Sequence, residues 1–388
     1  MRGFCVWLLS AVLLAASLAP VAPAAAQSSQ SAKEDKAKSA IVIEQETGKV
    51  LYGRNADKEL PPASMTKVMT LLLIFKALQA KQISLGDKVS VSEHAASMGG
   101  SQVFLEPGET MTVDEMLKAI AIASGNDASV AMAEFVAGSE QAFIDRMNRE
   151  AKRLGLKHTR FRNPTGLPVD GHYTSAHDMA KMARELATYE KVFHYTSKYE
   201  DYLRENTDEK FWLVNTNKLI KTYPGADGLK TGFTSDAKYC LTATAKRQGM
   251  RVIAVVMGAK TPKERNKEVA GLMDTAFASY TTKKVLDKNK PVAFARVNKG
   301  TSGKIPVVTQ RPAVLLLKKG ESDKGLSKHA DVQKVLQAPV KAGSIAGYYT
   351  IRQKGKIVSR TPLVVRQTVK RASWWQLFKR SAGSMLAK

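Results

Sequence analysis

Ser64-Met65-Thr66-Lys67 stands directly before the largely apolar run Val68-Met69-Thr70-Leu71-Leu72-Leu73-Ile74-Phe75. Residues three apart on a helix share a face, so an amine at position 67 reaches a hydroxyl at position 64. A serine hydroxyl is a weak nucleophile without a base, and lysine serves as that base only when neutral. Burial or a second cation nearby brings this about. Pro61-Pro62-Ala63 predicts a non-helical entry that puts Ser64 in the first turn, where unpaired N–H groups favour developing negative charge. The spacing recurs at Ser235-Asp236-Ala237-Lys238, among turn-forming residues that open no apolar helix. An isolated match is also what an ordinary helix N-cap looks like, so Ser64 needs partners from elsewhere in the chain.

At 388 residues, with 44% hydrophobic and 24% charged residues, the composition is globular and the length suits more than one domain. A formal net charge of +25 predicts attraction to polyanions: nucleic acid, anionic lipid or an anionic cell wall. The N-terminus narrows this choice. Met1-Arg2, an apolar run from Phe4 to Ala19, and Ala24-Ala25-Ala26 before Gln27 have the pattern of a secretory signal, so residues 1–26 are expected to be a signal peptide and the protein to be exported. Nucleic acid is therefore not expected as a partner. Cys5 leaves with the signal, and Cys240 then has no cysteine to pair with. Its setting between Tyr239 and Leu241 predicts a buried small hydrophobe.

Residues 27–38 are polar and free of aromatics, which predicts a flexible linker. The body from 39 to 283 opens with strands at 40–43 and 49–52 about a turn at Glu46-Thr47-Gly48. The Ser64 helix runs to about Ala80, a short strand follows at 88–91, and helices are predicted at 112–122, 127–137, 140–154 and 174–186. The pattern then alternates, giving strands at 229–234, 239–245 and 251–257 before a closing helix at 262–280. Strands at both ends with helices between them predict an α/β sandwich, with an antiparallel sheet that the terminal strands share.

A composition shift at 281–290 marks a boundary. Short strand-like runs at 305–308, 313–317, 347–352, 356–359 and 363–366 predict a small all-β sandwich over residues 284–366. In residues 367–388, Trp374, Trp375, Phe378, Ala382, Met385 and Leu386 recur at helical spacing among Lys370, Arg371, Lys379, Arg380 and Lys388, with no acidic residue. That composition predicts an amphipathic helix lying on an anionic membrane surface.

Two further elements bear on Ser64. Ser124-Gly125-Asn126 falls at a helix-to-helix break, where short polar side chains can point into a cleft. Lys230-Thr231-Gly232 opens a strand, with a glycine that permits close approach of a ligand to the backbone. Together the three elements match the order and type of the motifs shared by penicillin-binding proteins and class A β-lactamases.

The chain resembles the low-molecular-mass penicillin-binding proteins of the D-alanyl-D-alanine carboxypeptidase family, and the likeness covers nearly all of it. The resemblance implies a serine-type carboxypeptidase that removes the terminal D-alanine from peptidoglycan pentapeptides. Ser64 would attack the carbonyl between two D-alanines, Lys67 would take its proton, and Ser124 would relay protons to the leaving amine. Asn126 would hydrogen-bond the substrate peptide. Lys230 and Thr231 would hold its terminal carboxylate, and Lys230 would disfavour protonation of Lys67. The backbone N–H groups of Ser64 and Phe233 would form the oxyanion hole. Arg265 is either a further contact to the carboxylate or a surface cation. The resemblance also implies acylation by β-lactams, no cofactor, and a place at the outer face of the cytoplasmic membrane.

Two other readings share these features. A β-lactamase would need a glutamate on the loop after the middle motif, and Arg162-Asn163-Pro164-Thr165-Gly166-Leu167 offers no carboxylate. A non-catalytic envelope protein would carry a vestigial site, against which all three motifs are intact. A metal site is not expected: the six histidines include no HExxH spacing, and His172 and His177 read as a turn residue and a residue near the N-terminus of a helix. The glycines at 225–232 lack P-loop spacing.

Overall fold

The computed structural model describes residues 36–377. Strands β1 (Ser39–Glu44), β2 (Val50–Arg54), β3 (Ala226–Thr234), β4 (Lys238–Arg247) and β5 (Met250–Ala259) form one antiparallel sheet in the order β2-β1-β5-β4-β3. Ile41 sits opposite Gly53 of β2 and Val255 of β5, so the terminal strands share one sheet, as expected, and are direct neighbours in it. All six residues of β1 are buried because both sheet faces are covered. Ile41 and Ile43 face a core shared with α1 (Lys67–Gln79), α2 (Val113–Lys118), α3 (Asn126–Ala137), α4 (Glu140–Arg153) and α5 (Ala176–Leu186). Ala40 and Val42 face the other way, toward α6 (Pro262–Ser279).

In α1 every residue from Lys67 to Phe75 is buried, which explains a run with no polar face: this helix lies inside the helical layer. β3 is an edge strand, so one side of Lys230-Thr231-Gly232 is left without a strand partner. The helix expected to reach residue 122 changes at Lys118. A wider π-type turn spans Ala119–Ala123, and Ser124 closes it at φ +69°, in the left-handed region.

The second half comprises β6 (Tyr280–Leu286), β7 (Pro291–Asn298), β8 (Lys304–Thr309), β9 (Ala313–Lys318), β10 (Leu326–Val332), β11 (Val335–Gln337), β12 (Ile345–Gln353) and β13 (Lys356–Val365). β6 pairs with β9, and the others form a sheet in the order β10-β12-β13-β8-β7-β11. The all-β expectation holds, with boundaries that differ. The expected break at 283/284 falls inside β6, whose partner lies in the second half. The runs at 356–359 and 363–366 are one strand: Pro362 faces Tyr348 of β12, and pairing to β8 starts only at Leu363, so its missing N–H interrupts no ladder there.

Both flanks of the expected linker and tail also differ. Ala37 is buried and its N–H donates to Glu268 Oε2 at 2.9 Å, so the end of the 27–38 segment belongs to the folded body. Val369 is buried opposite Val340, and Ala372 donates its N–H to Lys299 O at 2.8 Å. The β half therefore runs to about 372, not 366. A helical turn begins at Trp374, with Ser373 and Gln376 capping each other reciprocally. Trp374 and Trp375 are exposed. The expected signal peptide, the rest of the linker and the tail beyond Leu377 lie outside the described residues.

A chain ending after Ala372 is expected to keep the full-length melting profile. One ending after Arg366 forfeits burial of Val369, about 2 kcal/mol, and should lower the β half's melting transition by about 10 °C in calorimetry.

Candidate active site

Ser64 lies in a 3-10 turn, Ala63–Thr66, that leads into α1, and it is partly exposed while its neighbours are buried. Ala63 adopts φ +48°, a conformation that costs an alanine energy and persists only where the surroundings enforce it. Two glycines allow that enclosure. A Cβ on Gly232 of β3 would stand 2.8 Å from Pro62 O, and one on Gly166, itself at φ +88°, would fall 1.8 Å from Ala63 O. The close approach at Gly232 is thus to the protein's own serine turn, where the sequence suggested a ligand.

Lys67 is fully buried, and its Nζ has three partners: Asn126 Oδ1 at 2.5 Å, Thr165 O at 2.8 Å and Ser64 Oγ at 3.2 Å. Asn126 Nδ2 donates to Gly99 O at 2.7 Å, which fixes the amide so that its oxygen faces the lysine. Two of the three partners can only accept. A neutral amine has two N–H groups for those oxygens and one lone pair, which then faces the only partner with a proton to give, Ser64. Burial, and secondarily the charge of Lys230, hold Lys67 well below its ordinary pKa, while Asp127 acts in the opposite sense.

Lys230 is buried in β3 and donates to Thr231 O at 3.2 Å; burial and then Arg265 push it down to about 7. Thr231 Oγ1 donates to Thr216 Oγ1 at 2.7 Å. Arg265 is not a surface cation: it is buried, with its guanidinium on Asn266 Oδ1 at 2.9 and 3.0 Å, and it acts on Lys230 through its charge. The Ser124 Oγ is buried with no hydrogen-bond partner among the described residues. Phe233 exposes its ring beside that of Tyr239, 4.4 Å between centroids. Cys240 is buried as expected, its thiol pushed up to about 11 by burial.

Several residues of the site escaped the sequence. Asp127, next to Asn126, accepts from Val103 and Leu105 N–H groups and so secures the loop carrying Gly99. Asn163 Oδ1 accepts from the N–H groups of Thr165 and Gly166, shaping the loop whose carbonyls meet Lys67 and Thr70. Thr216 and His172 carried no local signal beyond being polar. His172 Nδ1 accepts from Arg162 N–H at 3.2 Å, so its Nε2–H donates to Thr66 Oγ1 at 2.9 Å, beneath the serine turn. Among the described residues no group of three His, Cys, Asp or Glu is placed to hold a metal ion.

A strained serine turn, a buried lysine with its lone pair free for that serine, and a second buried lysine on an edge strand define a serine peptidase of the penicillin-binding class. The D-alanyl-D-alanine carboxypeptidase family matches residues 25–261, and the C-terminal domain of penicillin-binding protein 5 matches 280–371. The D-alanyl-D-alanine carboxypeptidase DacF of Bacillus subtilis is 55% identical over 348 residues, covering 90% of each chain. The crystal structure of penicillin-binding protein 5 from Haemophilus influenzae superposes with a TM-score of 0.67 at 29% identity, over 87% of this chain and 98% of that one. Penicillin-binding protein D2 of Listeria monocytogenes, in an ampicillin-bound form, does so with a TM-score of 0.56 at 34% identity, over 62% and 97%. The chain belongs to the D-alanyl-D-alanine carboxypeptidase family. Its function is that of a serine-type D-Ala-D-Ala carboxypeptidase and penicillin-binding protein in cell wall synthesis, and neither the β-lactamase nor the non-catalytic reading is favoured.

His172 supplies a pH dependence of stability. Burial, and then Arg162, depress it from 6.5 to about 4 in the fold. Between those values the unfolded chain binds the proton more readily, so the stabilisation is complete above pH 6.5 and is lost as pH falls toward 4, about 3 kcal/mol in all. Urea melts across this window should show the decline, and His172→Gln should flatten it.

Proposed function

We propose that Ser64 attacks the carbonyl between the two terminal D-alanines of a peptidoglycan stem peptide while Lys67 takes its proton. The observation that carries this is the Lys67 amine, buried, held by two carbonyl oxygens and 3.2 Å from Ser64 Oγ. As the Ser64 oxygen bonds to the carbonyl carbon, charge develops on the carbonyl oxygen, for which the N–H groups of Ser64 and Phe233 are the assigned donors. The C–N bond then breaks, and the leaving nitrogen takes a proton relayed from Lys67 through Ser124. Support for Ser124 is its buried hydroxyl, which spends no hydrogen bond on the protein. Water then hydrolyses the acyl-enzyme and restores Ser64.

Lys230 and Thr231 are assigned to the substrate's terminal carboxylate, with Arg265 behind Lys230 as a positioning charge. Asn126 orients Lys67 and has one further Nδ2 hydrogen for the substrate peptide. β-Lactams follow the same first step. The loop at 163–167 offers a carbonyl and an amide but no carboxylate to activate water, so the penicilloyl enzyme is assigned a slow release. The protein is assigned to the outer face of the cytoplasmic membrane, exported by residues 1–26 and attached through its tail. Support is the exposed Trp374-Trp375 pair in an acid-free basic segment.

A fluorescent penicillin is expected to label the wild type and to fail on Ser64→Ala; labelling that survives would mean another nucleophile. The acidic limb of the acylation rate against pH reports Lys67, which must be neutral to act. Lys230→Ala removes a neighbouring positive charge, so Lys67 should hold its proton to higher pH and the limb should shift upward. An unmoved limb would refute the coupling. With anionic vesicles in about 0.5 M salt, where attraction to the basic β half is screened, the full chain is expected to sediment and the form ending at Ala372 to stay in the supernatant while still releasing D-alanine from a pentapeptide; sedimentation of the shortened form would end the interfacial assignment of the tail.

A further inference from the structure

Three buried side-chain polar atoms among the described residues have no hydrogen-bond partner: Ser124 Oγ, Glu46 Oε2 and Arg311 Nε. The first belongs to the catalytic cluster. The other two are opposite charges from the two halves of the molecule, Glu46 on the β1–β2 turn and Arg311 on the β8–β9 turn, and both line one cavity of about 710 Å³. Each feels the other's charge, yet they do not close into an ion pair. Buried charges left open in this way are costly, and the usual resolution is a bidentate contact or a bound group. A water occupies only about 30 Å³ in the liquid, so the cavity has room for a much larger guest.

The turn that presents Glu46 is held rigid. Arg184 donates from Nε to Gln45 O at 2.5 Å and from Nη2 to Glu46 O at 2.7 Å, and a Cβ on Gly48 would meet the same guanidinium at 2.8 Å. The Glu46 carboxylate needs a donor, and the Arg311 Nε–H needs an acceptor. Lys246, Arg251, Lys284 and Lys288 also line the cavity against Glu190 and Asp287, so the lining stays net positive, and Phe193 adds an apolar wall. Burial raises Glu46 and lowers Arg311, shifts that a guest of complementary charge would reverse. The matching guest carries an amine or amide N–H, a carboxylate a few ångströms away, and net negative charge.

We propose that this cavity between the two halves is a second peptide site, which takes a short acidic peptide with its amine on Glu46 and a carboxylate on Arg311 and Lys288. For this enzyme the fitting member of that class is the wall stem peptide left after D-alanine is removed, a choice that rests on the carboxypeptidase reading. The site then lets the enzyme hold one trimmed strand while Ser64 acts on another.

The test uses the full chain with Ser64 blocked by penicillin, titrated calorimetrically with a stem tetrapeptide. Saturable one-site binding is expected, weakened at least tenfold by Glu46→Gln and by Lys288→Ala, with the penicillin acylation rate and the melting temperature unchanged. Lys288 is the safer of the two changes for folding, so it carries the test if Glu46→Gln melts early. Absence of saturable heat at millimolar peptide, or binding in both variants as tight as in the unsubstituted chain, overturns the second site. A chain that penicillin does not acylate, but whose tetrapeptide binding is lost in the two variants, would overturn the catalytic reading and leave the second site standing.

Discussion

The structure depends on keeping the Lys67 amine out of water without a carboxylate beside it. Its Nζ meets only oxygens of an amide, a backbone carbonyl and a hydroxyl. Desolvating an ammonium costs several kcal/mol, and three neutral dipoles repay only part of this, so the neutral amine is the favoured form. Each partner needs its own support. Asn126 is fixed by Gly99, and the Gly99 loop is secured by Asp127. The Thr165 carbonyl is aimed by the Asn163 turn, and that loop can reach α1 only because Gly166 lacks a Cβ. A base built in this way is a property of four separate segments meeting on one helix.

This explains what the sequence could and could not disclose. Ser64, Lys67, Asn126, Lys230 and Thr231 were legible as candidates because their residue types stand in short local patterns that suit the proposed chemistry. The sharing of one sheet by the terminal strands was legible too, since strands bracketing a helical run have few other ways to bury both faces. Thr165 was not, because it contributes a backbone oxygen to a partner 98 residues away, and any residue type could do so. His172 and Thr216 serve long-range contacts that leave no periodic trace. Ser124 was placed correctly at a break, but its left-handed backbone, which turns the chain out of a π-type turn into α3, is invisible in residue type alone.

The β half shows the same division between local and long-range information. Its strands with runs of buried apolar residues, such as β8 and β9, were readable, whereas β6, β7, β10 and β11 escaped: β6 and β10 are mostly exposed or half-buried, β7 mixes Pro, Asn and Arg into its sequence, and β11 is three residues long. The tail misled in a different way. Basic residues at 370 and 371 suit a helix facing a membrane, yet they lie between buried Val369 and Ala372 in an extended segment tied to 299–301. Charge composition assigns an environment to a stretch, while hydrogen-bond partners decide where the stretch begins.

The net charge of +25 is also unevenly spread, and this separates two electrostatic roles. Residues 280–371 hold 21 lysines and arginines against four acidic residues, a net of +17, so the general attraction to polyanions belongs mostly to the β half. The site instead concentrates three buried basic groups, Lys67, Lys230 and Arg265. Arg265 helps depress Lys230, and Lys230 helps depress Lys67, so repulsion runs in sequence toward the base. In the proposed reaction a substrate carboxylate at Lys230 would favour protonation there and neutralise the pair, which would remove part of the repulsion felt by Lys67. Burial is the larger cause of Lys67 neutrality and is unaffected by that exchange. Under the proposed reaction, the order of these two causes would let Lys230 bind an anion while Lys67 stays free of its proton.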